Sequence, residues 1–310
     1  MKKIIVALIC LSPFLLSCNA QKNSSVVAEI NPFKYTSSKK VIAENGAVVS
    51  AHPLASKVGV VILKMGGNAV DAAIATQLAL AVVYPAAGNI GGGGFLVGRL
   101  SNGELISIDY REKAPGSASR DMYIDETGKA RTDLSQNGHL AGGVPGTVSG
   151  LFTSHQYAKL PFSKLIQPAI DLAEKGFAIT SGEARAFNSI QESLKKYNSV
   201  MPAFVKQTPW KEGDTLIQTD LANTLKRIQK NGAAGFYEGE TANLLVAEMK
   251  RGNGIISLED LKNYKAKPRT PQTFNYKGYK IVGMGMPSSG GLLMAQMMKM
   301  IEGRGIDKMG

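Results

Sequence analysis

The stretch SAHPLASKVGVVILKMGGNAVDAAIATQLALAVVYP, residues 50–85, does most to fix what this chain can become. It reads as two helices in succession. Ser50 or His52-Pro53 starts the first, and Gly66-Gly67 stops it. Asn68 caps the second, which is alanine-rich and ends at Pro85. That helix carries Asp71 and Gln77, and its uncharged run ends at the proline, so it is expected to be buried in protein rather than to span a bilayer. Burying such a helix requires a sizeable body around it. The chain can supply one, with 310 residues of which 44% are apolar and 19% charged, enough for one large domain or two ordinary ones.

The remaining pattern mixes helices with hairpins. FLVGRL (95–100) and ELISIDYRE (104–112) are expected as strands joined at Asn102-Gly103, a strong hairpin step. Pro145-Gly146 opens a helix, and PFSKLIQPAIDLAEKGF and TSGEARAFNSIQESLKKY give two more. Thr219-Asp220 opens another that Gly232 stops, and GETANLLVAEMKRGNG follows it. Ser257 and Asp260 have capping-box spacing. NYKGYKIVGMGM reads as a strand pair or bent strand, PSSGG as a loop, and LLMAQMMKMIEG as a helix whose methionines are expected to fill core. No regular strand-helix-strand alternation and no internal repeat is present, so the expected fold class is α+β.

The N-terminus reads as an export signal. MKKIIVALICLSPFLLSC has a basic start, an apolar run from Ile4 to Leu16 interrupted by Pro13, and a Ser17-Cys18 ending. The ending Leu15-Leu16-Ser17-Cys18 resembles a bacterial lipoprotein processing site, with Cys18 as the lipidated residue; the other reading is a plain secretory signal with an incidental cysteine. The expected division is therefore 1–18 signal peptide, 19–45 polar tether and 46–310 folded region, exported to the periplasm and held at a membrane only by lipid on Cys18. Cys10 lies in the leader, so the mature chain has no cysteine pair for a disulfide or a cysteine-rich metal site. The formal charge of +12 comes from scattered lysines and arginines mixed with acids, as in LEDLKNYKAK, which gives a solvated basic surface rather than a nucleic-acid stripe.

Several chemical motifs fail. GNIGGGGF lacks the lysine and hydroxyl of a phosphate loop and opens onto a strand. Ser37-Ser38-Lys39-Lys40 and Ser193-Leu194-Lys195-Lys196 lack the companion motifs of a Ser-x-x-Lys hydrolase. His52, His139 and His155 show no metal spacing and are expected to be structural; no metal or organic cofactor is indicated. What remains is Arg111-Glu112 at the end of a strand, next to the glycine-rich GNIGGGGF, and the PSSGG loop at a helix mouth. An arginine holds a carboxylate through two parallel hydrogen bonds, and glycines let backbone N–H groups approach a ligand. On residues alone two readings stand: an anion-binding site, or an exposed ion pair with an ordinary helix-start turn.

The long ordered segments GAVVSAHPLAS, GGNAVDAAIATQLALAVVYP, GNIGGGGFLV, DYREKAPGSASRDMY, GGVPGTVSGL, PWKEGDTLIQTDLANTL, GFYEGETA and MPSSGG resemble the γ-glutamyltransferase (γ-glutamyl transpeptidase) family of N-terminal-nucleophile hydrolases. The resemblance runs from about Gly46 to the end. It implies a four-layer αββα sandwich completed by strands of a small subunit. It implies cleavage of the γ-glutamyl amide of glutathione through a covalent enzyme intermediate, with transfer to water or to an amino acid or peptide acceptor. It carries Arg111 over as the residue that grips the α-carboxylate of the γ-glutamyl group, with Glu112 supporting it. The family's nucleophile is a threonine freed by self-cleavage, usually in a Thr-Thr-His context that this sequence lacks. The chain is therefore expected to be a large-subunit region that binds substrate, is inactive alone, and leaves an open sheet edge and exposed apolar surface. Cephalosporin (glutaryl) acylases resemble the same family, and an acylase or an inactive ligand-binding remnant are the alternatives.

Overall fold

A computed structural model describes residues 30–198, 200–306 and 309 of the protein. Cys18 and the expected signal peptide lie outside the described residues. The first helix, α1 (Pro53–Lys64), starts as its sequence requires: Pro53 occupies the first turn, and His52 Nδ1 accepts the Leu54 N–H at 3.2 Å. Helix α2 (Ala69–Val83) is capped reciprocally. Asn68 Oδ1 accepts from Val70 and Asp71, and Asp71 Oδ2 accepts the Asn68 N–H at 2.8 Å. Strands β1 (Phe95–Arg99) and β2 (Leu105–Asp109) form the expected hairpin, with Gly103 at φ +88 in its turn. A long excursion then carries α3 (Thr132–Gln136) and returns at an antiparallel bridge between Lys113 and Val144.

Beyond that bridge come α4 (Thr147–His155), α5 (Phe162–Lys175), β3 (Phe177–Ala178), α6 (Ser181–Tyr197), β4 (Thr215–Leu216), α7 (Thr219–Asn231), α8 (Ala234–Tyr237), α9 (Gly239–Arg251) and α10 (Leu258–Lys262). Strand β5 (Lys267–Pro268), the hairpin β6 (Gln272–Tyr276) and β7 (Tyr279–Gly283), and α11 (Gly290–Ile301) come last. This is an α+β arrangement. Helix α1 packs on α2, α2 on α5, and α5 on α7. Leu165, Ile166, Ile170 and Leu172 of α5 are at most 2% exposed, and burying each such side chain contributes about 1.5–3 kcal/mol. Among the described residues no helix is long and apolar enough to cross a membrane.

The largest sheet has the order β1-β2-β5, so β1 is an edge strand. Beside it lies a cleft of about 1270 Å³, walled by Val48, Leu63, Thr76, Leu80, Phe95 and Tyr110 among others.

Two expectations need correction. The methionine helix α11 is not core: Met297 and Met300 are 59% and 71% exposed, and only Gly291 is buried. The reason is geometric. One hairpin, β6–β7, is its main neighbour, and a single neighbour cannot cover a helix that is apolar on most sides. Part of the segment read as a polar tether is also packed. Ile30 is buried, Ala178 donates its N–H to the Pro32 carbonyl, and Tyr35 Oη donates to the Ala178 carbonyl at 2.6 Å. Its scattered apolar residues find the small β3–β4 sheet, which has too few residues to be visible in the sequence pattern.

Candidate functional site

Strand β2 is buried on both faces up to Tyr110, and the exposure of Arg111 comes from its place past the strand's end. Tyr110 is the last residue in ladder register, exchanging backbone hydrogen bonds with Gly94 at 3.3 and 3.1 Å. Its ring points inward, with Oη 3.1 Å from both Gln77 Oε1 and the Phe95 carbonyl. Arg111, one residue on, is turned outward, and its side chain is 58% exposed. The strand therefore ends earlier than the expected Glu112, and Arg111 stands just outside the ladder.

The guanidinium is used at one corner only. Its Nε donates to Glu112 Oε2 at 3.1 Å, and Cζ lies 5.7 Å from the centroid of the Phe95 ring. Among the described residues neither Nη1 nor Nη2 has a hydrogen-bond partner. An exposed pair of this kind contributes little to stability, but it orients the side chain and leaves both terminal nitrogens open to a carboxylate. Phe95 also walls the cleft, which Arg111 itself does not line, so the fork adjoins the cleft through that ring.

Below the fork the backbone is crowded. A Cβ on Gly93 would meet the Tyr110 carbonyl oxygen at 2.5 Å and Arg111 Cα at 2.9 Å. A Cβ on Gly146 would collide with the Tyr110 carbonyl and with Tyr264 Oη. Only glycine allows these approaches. Arg111 donates its N–H to Asp109 Oδ1 at 3.1 Å, and its carbonyl accepts from Tyr264 Oη at 2.6 Å. The second oxygen of Asp109 accepts from Arg269 Nε and Nη2 at 3.1 and 2.8 Å. Burial, then the negative charges of Asp109 and Glu112, push the Tyr264 hydroxyl up to about 12, so it remains a donor at any working pH.

The structure thus brings Arg111, Glu112 and the glycine loop together. It keeps PSSGG apart in its bonding: Ser288 donates its N–H to Gly285 and accepts the Gly290 N–H, both local contacts. The three histidines have structural partners. His52 caps α1 and faces Glu183 at 3.1 Å, His139 meets Glu248 Oε1 at 2.8 Å, and His155 meets the Leu160 carbonyl. Among the described residues no group of three or more His, Cys, Asp or Glu is placed to hold a metal ion. Asp109, Tyr264 and Arg269 escaped the sequence reading. Only Asp109 left a signal there, as an acidic residue two positions before Arg111 in SIDYRE.

The body matches solved structures of the α+β N-terminal-nucleophile type. The crystal structure of Helicobacter pylori gamma-glutamyltranspeptidase superposes with a TM-score of 0.85 at 45% identity, covering 87% of this chain and 78% of that one. The family described as Gamma-glutamyltranspeptidase matches residues 55–310, and the chain belongs to that family. The glutathione hydrolase proenzyme of Pseudomonas sp. (strain A14) is 46% identical over 271 residues, which cover 86% of this chain and 47% of that protein. The Acylase ACY 1 proenzyme of Pseudomonas sp. (strain V22) is 37% identical over 280 residues, 88% of this chain and 50% of that protein. The chain spans about half the length of these relatives.

Proposed function

We propose that the chain is the substrate-binding region of a γ-glutamyltransferase that also hydrolyses glutathione. The observation that carries this reading is the open fork: Arg111 offers two nitrogens without a partner among the described residues, beside Phe95 of the cleft wall, with its Nε already oriented by Glu112. The α-carboxylate of a γ-glutamyl donor takes those two nitrogens in parallel hydrogen bonds. The attacking group is a threonine hydroxyl from another segment of the precursor, with its own amine as base. It adds to the γ-carbonyl, the amine of the donor leaves with a proton, and an ester of the γ-glutamyl group remains. Water or the amino group of an acceptor then releases it. On its own the chain binds γ-glutamyl compounds without turnover.

The test is cleavage of γ-glutamyl-p-nitroanilide by the complete precursor and its Arg111→Lys variant. Losing the bidentate partner lowers kcat/KM by about 30-fold or more. Wild-type turnover and affinity in the lysine variant would remove Arg111 from the site. The similarity to Acylase ACY 1 favours a second reading, an acylase for glutaryl side chains that lack the α-amino acid end. Faster release of a glutaryl group than of a γ-glutamyl group decides for it. We also propose that Cys18 anchors an exported, periplasmic protein through lipid; a Cys18→Ser variant that still labels with radioactive fatty acid refutes this.

A further inference from the structure

We propose that Tyr264 and the Asp109–Arg269 pair are positioning residues that hold the Arg111 backbone from both sides and so aim its guanidinium at the ligand carboxylate. This rests on the reading of Arg111 given above. The need for such a device follows from where Arg111 stands. It is the first residue past the sheet ladder, so neither its N–H nor its C=O has a strand partner. A long side chain on a loose backbone would swing over a wide arc, and a bidentate contact tolerates little misplacement.

Both backbone groups are instead taken by side chains, the N–H by Asp109 two residues back and the C=O by Tyr264, 153 residues on. Asp109 is a buried carboxylate whose two oxygens divide the work, one on the Arg111 N–H and one on the Arg269 guanidinium. Arg269 is itself fixed to the sheet, since its own N–H donates to the Ser107 carbonyl at 2.8 Å. On the other side, the Tyr264 ring is 4% exposed and stacks on Tyr237 at 5.9 Å between centroids and 5° between planes. The Lys113 ammonium sits 4.9 Å from the same ring centroid. The hydroxyl at its tip is wedged between Gly146 and the Arg111 carbonyl. Asp109 and Tyr264 bond the Arg111 backbone directly, and Arg269 bonds Asp109. They act through Arg111.

The experiment compares Tyr264→Phe, Arg269→Lys, Arg111→Lys and the Tyr264→Phe/Arg111→Lys double variant in the complete precursor. KM and kcat are measured for γ-glutamyl-p-nitroanilide, and the inhibition constant for free L-glutamate. Expected is a rise of about threefold to tenfold in KM and in the L-glutamate constant for Tyr264→Phe, with a much smaller change in kcat. In the Arg111→Lys background the same substitution adds almost nothing, because the group it positions is already gone. If Arg111→Lys raises both constants and Tyr264→Phe changes neither, or if the two losses add fully, the positioning role is overturned and the reading of Arg111 stands. If Arg111→Lys itself changes neither constant, or the wild type does not turn over γ-glutamyl substrate, the reading falls and the inference with it. Should Tyr264→Phe fail to fold, Arg269→Lys keeps the backbone bond to Ser107 and a positive charge, and carries the same comparison.

Discussion

Asp71 shows how much one residue can hold. It is fully buried, and among the described residues no cation is paired with it; its oxygens accept backbone N–H bonds from Asn68, Lys159 and Leu160 at 2.8–3.1 Å. The start of α2 adds favourable partial charge. An amide in its place puts a second donor against donors, so Asp71→Asn is expected to cost about 2–4 kcal/mol. Urea unfolding of the chain checks this: the midpoint falls with the slope unchanged. The sequence placed Asp71 in a buried helix but gave no hint of Lys159 and Leu160, 88 and 89 residues away. The site divides in the same way. Arg111 and Glu112 were legible because a charged pair at a strand end beside glycines is a local pattern. Tyr264 and Arg269 were not, because their contacts cross 153 and 160 residues, and no local pattern records which distant tyrosine meets which carbonyl.

Among elements, the junction of α1 and α6 carries a pH-sensitive contact. Glu183 closes a capping box at the start of α6, accepting the Thr180 N–H at 2.7 Å, and faces His52 at the start of α1. Burial raises its carboxyl, but the His52 contact and the Thr180 bonds outweigh that and hold it below the ordinary glutamate range. A depressed folded value means the unfolded chain binds the proton first. The stabilisation is therefore present at neutral pH and is lost as pH falls from the ordinary glutamate range downward. Wild type is expected to be more stable than Glu183→Gln at neutral pH, and the gap to close on acidification; thermal melts of both across pH read it directly. Helix starts and stops were the most legible part of the fold, since His52-Pro53, Asn68, Thr180 and Ser257 act through side chains within three residues of the helix they cap. The β3–β4 pair was not, being two residues a strand.

At the scale of the whole molecule the apolar surface is unevenly placed. Leu292, Leu293, Met297 and Met300 on α11, with Met286 and Tyr279 nearby in sequence, are all about half exposed or more. A surface of this kind drives self-association. Met297→Glu/Met300→Glu is expected to lower the apparent mass of the isolated chain in light scattering, with little change in its melting temperature because neither side chain is buried. The sequence misled here because a methionine-rich helix looks the same whether its cover lies within the described residues or elsewhere. The opposite situation holds for the excursion between Lys113 and Val144. Its ends meet at a bridge, and it is tied down by Gly116 on Asp260 and His139 on Glu248. Closure cost grows only with the logarithm of length, about 0.6 kcal/mol per doubling. Residues added or removed at the tip between Ile124 and Ala130, which meet at a bridge of their own, are therefore expected to leave the arginine that follows β2 in place, which makes this tip a stretch where length can change cheaply.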